Sequence, residues 1–149
     1  MPECSIQTQF GPLILTERNG AITALNWGHA PAEDSTKLLQ EACAQITDYA
    51  AGRREVFDLP LRVAGSDFQR AVCAQMSAIP YGQTLTYGDI ARALGVPAQA
   101  VGQACGANPI PIIIPCHRVM GARGMTGFSG AGGVETKVAL LRHEGGVLI

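Results

Sequence analysis

Short alternating runs of apolar and polar residues open the chain. Over residues 5–27 they are interrupted by turn signals at Gly11-Pro12 and Asn19-Gly20, and this pattern predicts antiparallel strands joined as a hairpin. A last short strand is predicted over residues 56–61. The beginning of the chain is therefore expected to form a small sheet.

The stretch between these strands follows a helical period. Apolar residues recur every three or four positions from Asp34 to Ala51, which predicts one helix. Asp34 or Ser35 is the expected N-cap, and Gly52 marks the end.

Helical spacing dominates the remainder of the chain. It predicts helices over residues 67–76, 86–95, 98–106 and 135–143, with Asp67 and Thr86 as the first two caps. The second and third helices are separated by a short Val-Pro turn, and the third is rich in small residues. This is the spacing of a helix-turn-helix, although many helix pairs that bind nothing share it.

The change from strand-like to helix-like composition falls at residues 62–66. We therefore expect an α+β protein with two domains, over residues 1–63 and 64–149. At 149 residues, of which 47% are hydrophobic, the chain can form a sizeable core.

One apolar run leads directly into reactive side chains. Ile112 to Ile114 predict a short buried strand, which Pro115 ends because proline cannot donate to a ladder. Cys116 and His117 follow at once. A thiol attacks as thiolate, and a neighbouring imidazole or cation lowers its pKa. The alternative at this stage is an inert buried cysteine, or a cysteine hydrolase, for which the sequence offers no evident oxyanion hole.

The five cysteines are odd in number and include no C-x-x-C pair. This argues against a disulfide framework and against a metal site, and suits a reducing compartment. The chain has no apolar run of membrane-spanning length and no leader-like N-terminus, so we expect a cytoplasmic protein without membrane association.

The net charge of −1 does not by itself predict a nucleic-acid partner. Residues 84–149, however, carry five Lys or Arg and three Asp or Glu. If DNA binds, this half of the chain offers the better surface.

Several motifs follow one another in order across the last half of the chain. They are Ile79-Pro80-x-Gly82, Thr86-Tyr87-x-x-Ile90-Ala91, Ala100-Val101-Gly102-x-Ala104, Asn108-Pro109, Ile114-Pro115-Cys116-His117-Arg118-Val119, Gly127-Phe128-Ser129-Gly130, Lys137-x-x-Leu140-Leu141 and His143-Glu144-Gly145. Together they resemble the O6-alkylguanine-DNA alkyltransferase family, also called methylated-DNA–protein-cysteine methyltransferases. The first 60 residues match by length and strand pattern alone.

The resemblance implies a suicide repair protein that needs no cofactor. The alkyl group of O6-alkylguanine, or alternatively of O4-alkylthymine, would move once and irreversibly to Cys116. His117 would be the base, Glu144 would hold its tautomer, and Asn108 would brace the helix-turn-helix against the active site. The implied fold has a ribonuclease-H-like N-terminal domain and a C-terminal domain with a winged helix-turn-helix.

The resemblance also implies a monomer that binds double-stranded DNA in the minor groove and flips the damaged base into a pocket. The residues implied to contact the flipped base are Tyr87, Val119, Phe128 and Ser129. Those implied to contact DNA are Thr86, Ala98, Gln99, Ala100, Gly102 and Arg118.

One departure from the family pattern concerns Gln99, which stands where most members carry an arginine that fills the space of the flipped base. Glutamine lacks the fixed charge and is shorter. The alternative function is therefore a module that recognises alkylated DNA with weak or altered transfer activity.

Overall fold

The computed structural model describes residues 2–30, 34, 36–121 and 133–145. The chain divides into two compact units, Met1–Ala64 and Gly65–Ile149. The first unit contains a sheet and a helix, and the second contains mainly helices. The chain is therefore α+β, as predicted.

Three antiparallel strands form the sheet of the first unit, in the order β1 (Glu3–Thr8), β2 (Gly11–Arg18) and β3 (Ala21–Trp27). The turn between β2 and β3 has positive φ at both central residues, Asn19 (50°) and Gly20 (78°). This is the geometry that an Asn-Gly pair favours, because it matches the twist of the flanking strands. The predicted antiparallel strands and the turn at Asn19-Gly20 are thus confirmed.

Helix α1 (Lys37–Ala50) packs against this sheet and buries Leu39, Ala42, Ile46 and Tyr49. Its N-cap is Thr36, whose hydroxyl accepts from the Leu39 amide at 3.1 Å. The N-cap is therefore Thr36 and not the predicted Asp34 or Ser35. Threonine can cap a helix as they do, because its side-chain oxygen also accepts from a free backbone amide of the first turn.

The strand predicted over residues 56–61 is wrong. This segment makes a single parallel bridge, between Ile22 and Leu61. The Ile22 amide donates to the Pro60 carbonyl at 2.8 Å, and the Arg62 amide donates to the Ile22 carbonyl at 3.0 Å. Pro60 has no amide hydrogen with which to extend the ladder.

The second unit contains four helices and two very short strands among its described residues. They are α2 (Asp67–Ser77), β4 (Leu85–Thr86), α3 (Tyr87–Leu94), α4 (Ala98–Gly106), β5 (Val119–Met120) and α5 (Val134–His143). The N-cap of α2 is Ser66, which accepts from the Gln69 amide at 3.0 Å, and Asp67 is the first helical residue instead of the predicted cap.

The α3–α4 pair has the predicted helix-turn-helix boundaries. Thr86 caps α3 and exchanges hydrogen bonds with Asp89 in a capping box. Gly95 ends α3 in the left-handed region, at φ 68° and ψ 38°. Because α3 packs on α4, this turn fixes the direction in which α4 leaves.

The apolar run before Cys116 is buried as predicted but is not a strand. Residues 110–114 form a tight loop in which the Ile114 amide donates to the Ile110 carbonyl at 2.9 Å. Ile112 has a φ of +73°, which is unusual for a β-branched residue. The apolar side chains of this run thus predicted its burial correctly. Its backbone, however, forms hydrogen bonds within the loop instead of with a neighbouring strand.

No helix within the described ranges is long and apolar enough to cross a membrane.

The left-handed turn at Gly95 gives a stability prediction. A Cβ at this position would touch nothing within 4 Å, so the cost of Gly95→Ala is the backbone strain of the left-handed region. We expect a loss of about 1 kcal/mol in the free energy of unfolding, measured by urea denaturation. Gly95→Asn is the control and should lose less, since asparagine tolerates this conformation. Equal losses for both variants would contradict the explanation.

Candidate active site

Cys116 opens a single 3₁₀ turn, Cys116–Arg118, that connects the apolar loop to β5. Cys116 is only 7% exposed. The Cys116 amide donates to the Ile114 carbonyl at 2.8 Å, and its own carbonyl accepts from the Val119 amide. The backbone around the thiol is therefore held on both sides.

The next two residues share one buried carboxylate. His117 Nε2 lies 2.7 Å from Glu144 Oε2. Arg118 donates from Nε to Glu144 Oε1 at 2.8 Å and from Nη2 to Oε2 at 3.0 Å. Both side chains of the His117–Glu144 pair have 0% exposure. The buried carboxylate of Glu144 thus accepts from two nitrogens of one guanidinium.

This arrangement fixes the tautomer of His117. Nε2 faces a carboxylate oxygen and so carries the hydrogen, which leaves Nδ1 with a free lone pair. Nδ1 is buried and has no hydrogen-bond partner among the described residues. Burial lowers the pKa of His117, although the hydrogen bond to Glu144 opposes this. The neutral imidazole therefore presents a proton acceptor at Nδ1.

The thiol of Cys116 is protonated at rest. Burial raises its pKa above the usual 9.0, while a hydrogen bond from Asn108 and the positive charge of Lys137 act in the opposite direction. A thiol in such surroundings needs a base to remove its proton during reaction. The site combines that thiol with a neutral imidazole on the next residue.

Asn108 bridges the apolar loop. Its Nδ2 donates to the Ile114 carbonyl at 2.8 Å, and its Oδ1 accepts from the Ile110 amide at 3.0 Å. Asn108 follows α4 directly, and its side chain is among the influences that lower the pKa of the Cys116 thiol against the effect of burial. The Asn108 side chain thus holds together the loop that leads to Cys116.

Lys137 is a site residue that the sequence reasoning did not single out. It is 1% exposed, and its Nζ donates to the Val119 carbonyl at 2.5 Å. Burial lowers the pKa of Lys137, and the nearby thiols of Cys116 and Cys105 oppose this. The available signal was its spacing, because Lys137 shares the inward face of α5 with Leu140 and Leu141.

The strand pair β4–β5 brings two more predicted residues together. Leu85 pairs with Val119 and Thr86 with Met120 in parallel register. Tyr87 follows Thr86 directly as the first residue of α3 and is half-buried. Thr86 itself is occupied with the α3 cap.

Helix α4 presents a face of small residues. Ala98 and Gln99 are exposed, Ala100 and Gly102 are half-buried, and Val101 points into the core. Ala98 and Gly102 therefore share one face of α4, whereas Ala100 lies on another side of the helix, where it lines a cavity with Phe68 and Gln69.

Arg118 departs from its predicted position on a DNA-binding surface. It is 6% exposed, donates from Nη1 to the Ile79 carbonyl at 2.7 Å, and lies 5.7 Å from the centre of the Tyr81 ring. With its other donors on Glu144, the guanidinium is directed inward, because a buried carboxylate requires a cation beside it. Phe128 and Ser129 lie outside the described residues.

Within residues 2–30, 34, 36–121 and 133–145, no group of three or more His, Cys, Asp or Glu side chains could hold a metal ion.

A helix-turn-helix beside a buried cysteine with its own histidine and glutamate defines a class of DNA-modifying proteins that use a thiol as acceptor. Residues 67–146 match the family model described as 6-O-methylguanine DNA methyltransferase, DNA binding domain. A methylated-DNA–protein-cysteine methyltransferase of Mycobacterium tuberculosis is 41% identical over 150 residues, covering 94% of this chain and 90% of that protein. The chain therefore belongs to the methylated-DNA–protein-cysteine methyltransferase family, which confirms the resemblance.

Solved structures agree with this assignment. The crystal structure of the M. tuberculosis O6-methylguanine methyltransferase superposes with a TM-score of 0.84 at 38% identity, covering 97% of this chain and 92% of that one. The M. tuberculosis protein in complex with DNA gives a TM-score of 0.87 at 39% identity, with 97% and 93% covered. The fold is thus that of a family member solved on DNA.

The shared carboxylate gives a second stability prediction. Arg118→Met leaves Glu144 buried without its cation, so the free energy of unfolding should fall by about 3–5 kcal/mol in urea denaturation. Adding Glu144→Gln should recover much of this loss, because the uncompensated charge is removed.

Arg92→Met is the matched control. Arg92 pairs with Asp89 on the surface, where an ion pair contributes about 0–1 kcal/mol. If Arg118→Met cost no more than Arg92→Met, the proposed dependence of Glu144 on Arg118 would be wrong.

Proposed function

We propose that this protein repairs O6-alkylguanine in double-stranded DNA by transferring the alkyl group to Sγ of Cys116, once per molecule. The observation that carries the proposal is the buried Cys116 followed by a His117–Glu144 pair, inside a region that matches a methyltransferase DNA-binding domain. Family relatives with methyltransferase names support it along most of the chain.

The chemistry is a single displacement. Sulfur attacks the alkyl carbon, the C–S bond forms as the C–O6 bond breaks, and the electron pair of that bond leaves on the guanine. The thiol proton passes to Nδ1 of His117 through a bridging water, as the family relay implies. Nδ1 suits this role because Nε2 already bonds Glu144. A thioether has no acidic proton and is a poor leaving group, so the acceptor is consumed.

The leaving guanine needs a proton as well. Tyr87 is proposed to donate its phenolic hydrogen at guanine N3, as the resemblance implies, which lowers the barrier by general acid catalysis. Its position at the start of α3, next to the strand that pairs with Val119, supports this assignment. Main-chain groups of Cys116 and Val119 are proposed to bind the exocyclic amine. Phe128 and Ser129 complete the proposed base pocket.

Lys137 assists by holding a positive charge near the sulfur. In a site of low dielectric a thiolate is expensive to form, and a nearby cation lowers that cost. Lys137 also occupies the Val119 carbonyl, which leaves one lone pair of that oxygen for the base.

Arg118 is proposed as a positioning residue in place of its expected DNA contact. It holds the Glu144 carboxylate, and through it His117, in one orientation. Its guanidinium donates to both oxygens of Glu144, so Nε2 of His117 faces a hydrogen-bond acceptor and stays the donor.

The accessible small residues of α4 support docking in the DNA minor groove. Alanine and glycine allow close approach of the helix to the backbone, and Ala98 and Gly102 lie one turn apart on the same face of α4. Ala100 lies on another side of the helix, where it lines a cavity with Phe68 and Gln69. Gln99 is exposed at the start of α4, where it can fill the space of a flipped base. Thr86 contributes the cap that directs α3.

The proposed DNA-binding and acceptor domain is residues 64–149, and residues 1–63 form the N-terminal domain.

Gln99 also favours a second function. Without a fixed charge in the vacated space, base flipping gains less electrostatic energy than with arginine. A module that recognises alkylated DNA with slow transfer is the alternative.

Transfer should depend on pH through His117. Its pKa is lowered from 6.5 by burial, so it is neutral at neutral pH and cannot accept a proton once protonated. In single-turnover reactions with saturating alkylated duplex, we expect a level rate from about pH 7 to 8 and a fall of about tenfold per unit well below pH 6. His117→Asn should lose this acid limb and react more slowly throughout. A wild-type rate rising tenfold per unit from pH 7 to 8 would instead indicate a free thiolate.

The direct test is the mass of the intact protein after incubation with a duplex that carries one O6-methylguanine. We expect a gain of at most one methyl group per molecule, absent in Cys116→Ser. Cys105→Ala is the matched control and should keep the gain, because Cys105 is a buried thiol whose pKa burial raises to about 12. Repeated addition of damaged duplex should add no second methyl group.

Other outcomes would contradict the transferase. Methyl gain in Cys116→Ser would place the acceptor elsewhere. Unmodified protein bound tightly to the damaged duplex would favour the recognition module, and Gln99→Arg would then test whether the missing charge is the reason.

A further inference from the structure

Two cysteines outside the proposed active site lie side by side in the first unit. Cys4 Sγ on β1 is 2.9 Å from Cys43 Sγ on α1, although the residues are 39 positions apart in sequence. The two are not joined in the structure. The separation is about 0.9 Å longer than a disulfide bond, for which 2.03–2.05 Å is usual.

The backbone around this pair is fixed from two directions. At the start of β1, the Glu3 amide donates to Asp34 Oδ2 at 3.0 Å and the Asp34 amide donates to the Glu3 carbonyl at 2.9 Å. Just beyond β1, Gln9 Nε2 donates to the Ala50 carbonyl at 2.7 Å at the end of α1. One contact thus ties β1 to Asp34, which precedes α1, and the other ties the residue after β1 to the end of α1; together they hold the two sulfurs within reacting range.

The pair is also accessible from one side. Cys4 is 7% exposed, whereas Cys43 is half-buried. An oxidant in solution therefore meets Cys43 first, and the resulting intermediate meets Cys4 next. With one partner exposed and the other buried, the exposed thiolate can attack the oxidant, and the buried thiolate can then resolve the mixed disulfide that forms.

We propose that Cys4 and Cys43 form a reversible disulfide whose oxidant is a small-molecule disulfide such as oxidised glutathione. The Cys43 thiolate attacks one sulfur of the oxidant, which forms a mixed disulfide and releases one small thiol. The Cys4 thiolate then attacks the Cys43 sulfur, forms the internal S–S bond and releases the second small thiol. The protein loses two electrons and two protons, and the oxidant gains them.

The bond joins an edge strand to the helix that covers the sheet. β1 has a partner on one side only within the sheet, so in the reduced protein it depends on β2 and α1 to stay in place. A crosslink over 39 positions restricts the unfolded chain strongly. The oxidised first unit is thus more resistant to unfolding, while the Cys116 thiol in the second unit is not consumed.

The test uses the full chain incubated with oxidised glutathione, then blocked with iodoacetamide and mapped by peptide mass spectrometry. We expect one peptide pair linked through Cys4 and Cys43, a loss of two hydrogens per molecule, and a Tm higher by about 5–10 °C that returns to its starting value with dithiothreitol. Carrying out the same treatment in Cys116→Ser shows that the acceptor thiol takes no part.

Variants separate the two steps. In Cys4→Ser the resolving thiol is missing, so Cys43 should accumulate one glutathione, whereas Cys43→Ser should stay unmodified at Cys4. Cys73→Ser, a buried thiol of the second unit, is the matched control and should still form the link. A stable glutathione adduct on wild-type Cys43, a link to another cysteine, or no change of the pair would each overturn the proposal.

Discussion

The second unit depends on one buried carboxylate. Glu144 lies at the end of α5, yet it bonds two consecutive residues of the 3₁₀ turn that begins at Cys116. Burying the side chains of Glu144, His117 and Arg118 removes them from water, which costs several kcal/mol for each ion. Only close, complementary hydrogen bonds offset this cost. Arg118 supplies them with its planar fork, and its Nη1 donates to the Ile79 carbonyl. The orientation of His117 follows from this arrangement, so a charge pair sets the geometry of the proposed base.

The loop before Cys116 shows how the proposed acceptor is held without a regular sheet. Ile112 takes a backbone conformation that β-branched residues rarely adopt, and it is almost wholly buried. Asn108 compensates by bonding both ends of the loop. The loop brings the Cys116 sulfur to the start of the 3₁₀ turn. The amide and carbonyl of Cys116 already have backbone hydrogen-bond partners there.

Much of the fold could be predicted from local signals. The caps of α3 at Thr86 and Gly95 and the Asn19-Gly20 turn depend on nearby residues, and all were found correctly. Of the candidate site, the sequence named Cys116, His117, Asn108 and Glu144, and the structure pairs His117 with Glu144 and places Asn108 across the loop that precedes Cys116. These are cases in which a few adjacent residues decide the outcome.

The errors concern contacts between distant residues. A run of isoleucines predicts burial but not whether the partner is a strand or the loop itself. The inward direction of Arg118 depends on Glu144, 26 positions away, and the burial of Lys137 depends on the Val119 carbonyl. The sequence does not show whether a charged side chain has a buried partner of opposite charge or polarity. Arg118 was therefore assigned to the DNA-binding surface, and Lys137 was given no role.

The left-handed turn at Gly95 has a consequence for how this protein can diversify. The direction of α4 is set by the α3 caps, the turn and buried residues such as Val101, and none of these lies on the accessible side of α4. Positions 98, 99 and 102 can therefore change without altering where the helix points. Substitution there alters the surface offered to a partner while the scaffold stays constant, so binding preference can drift independently of folding.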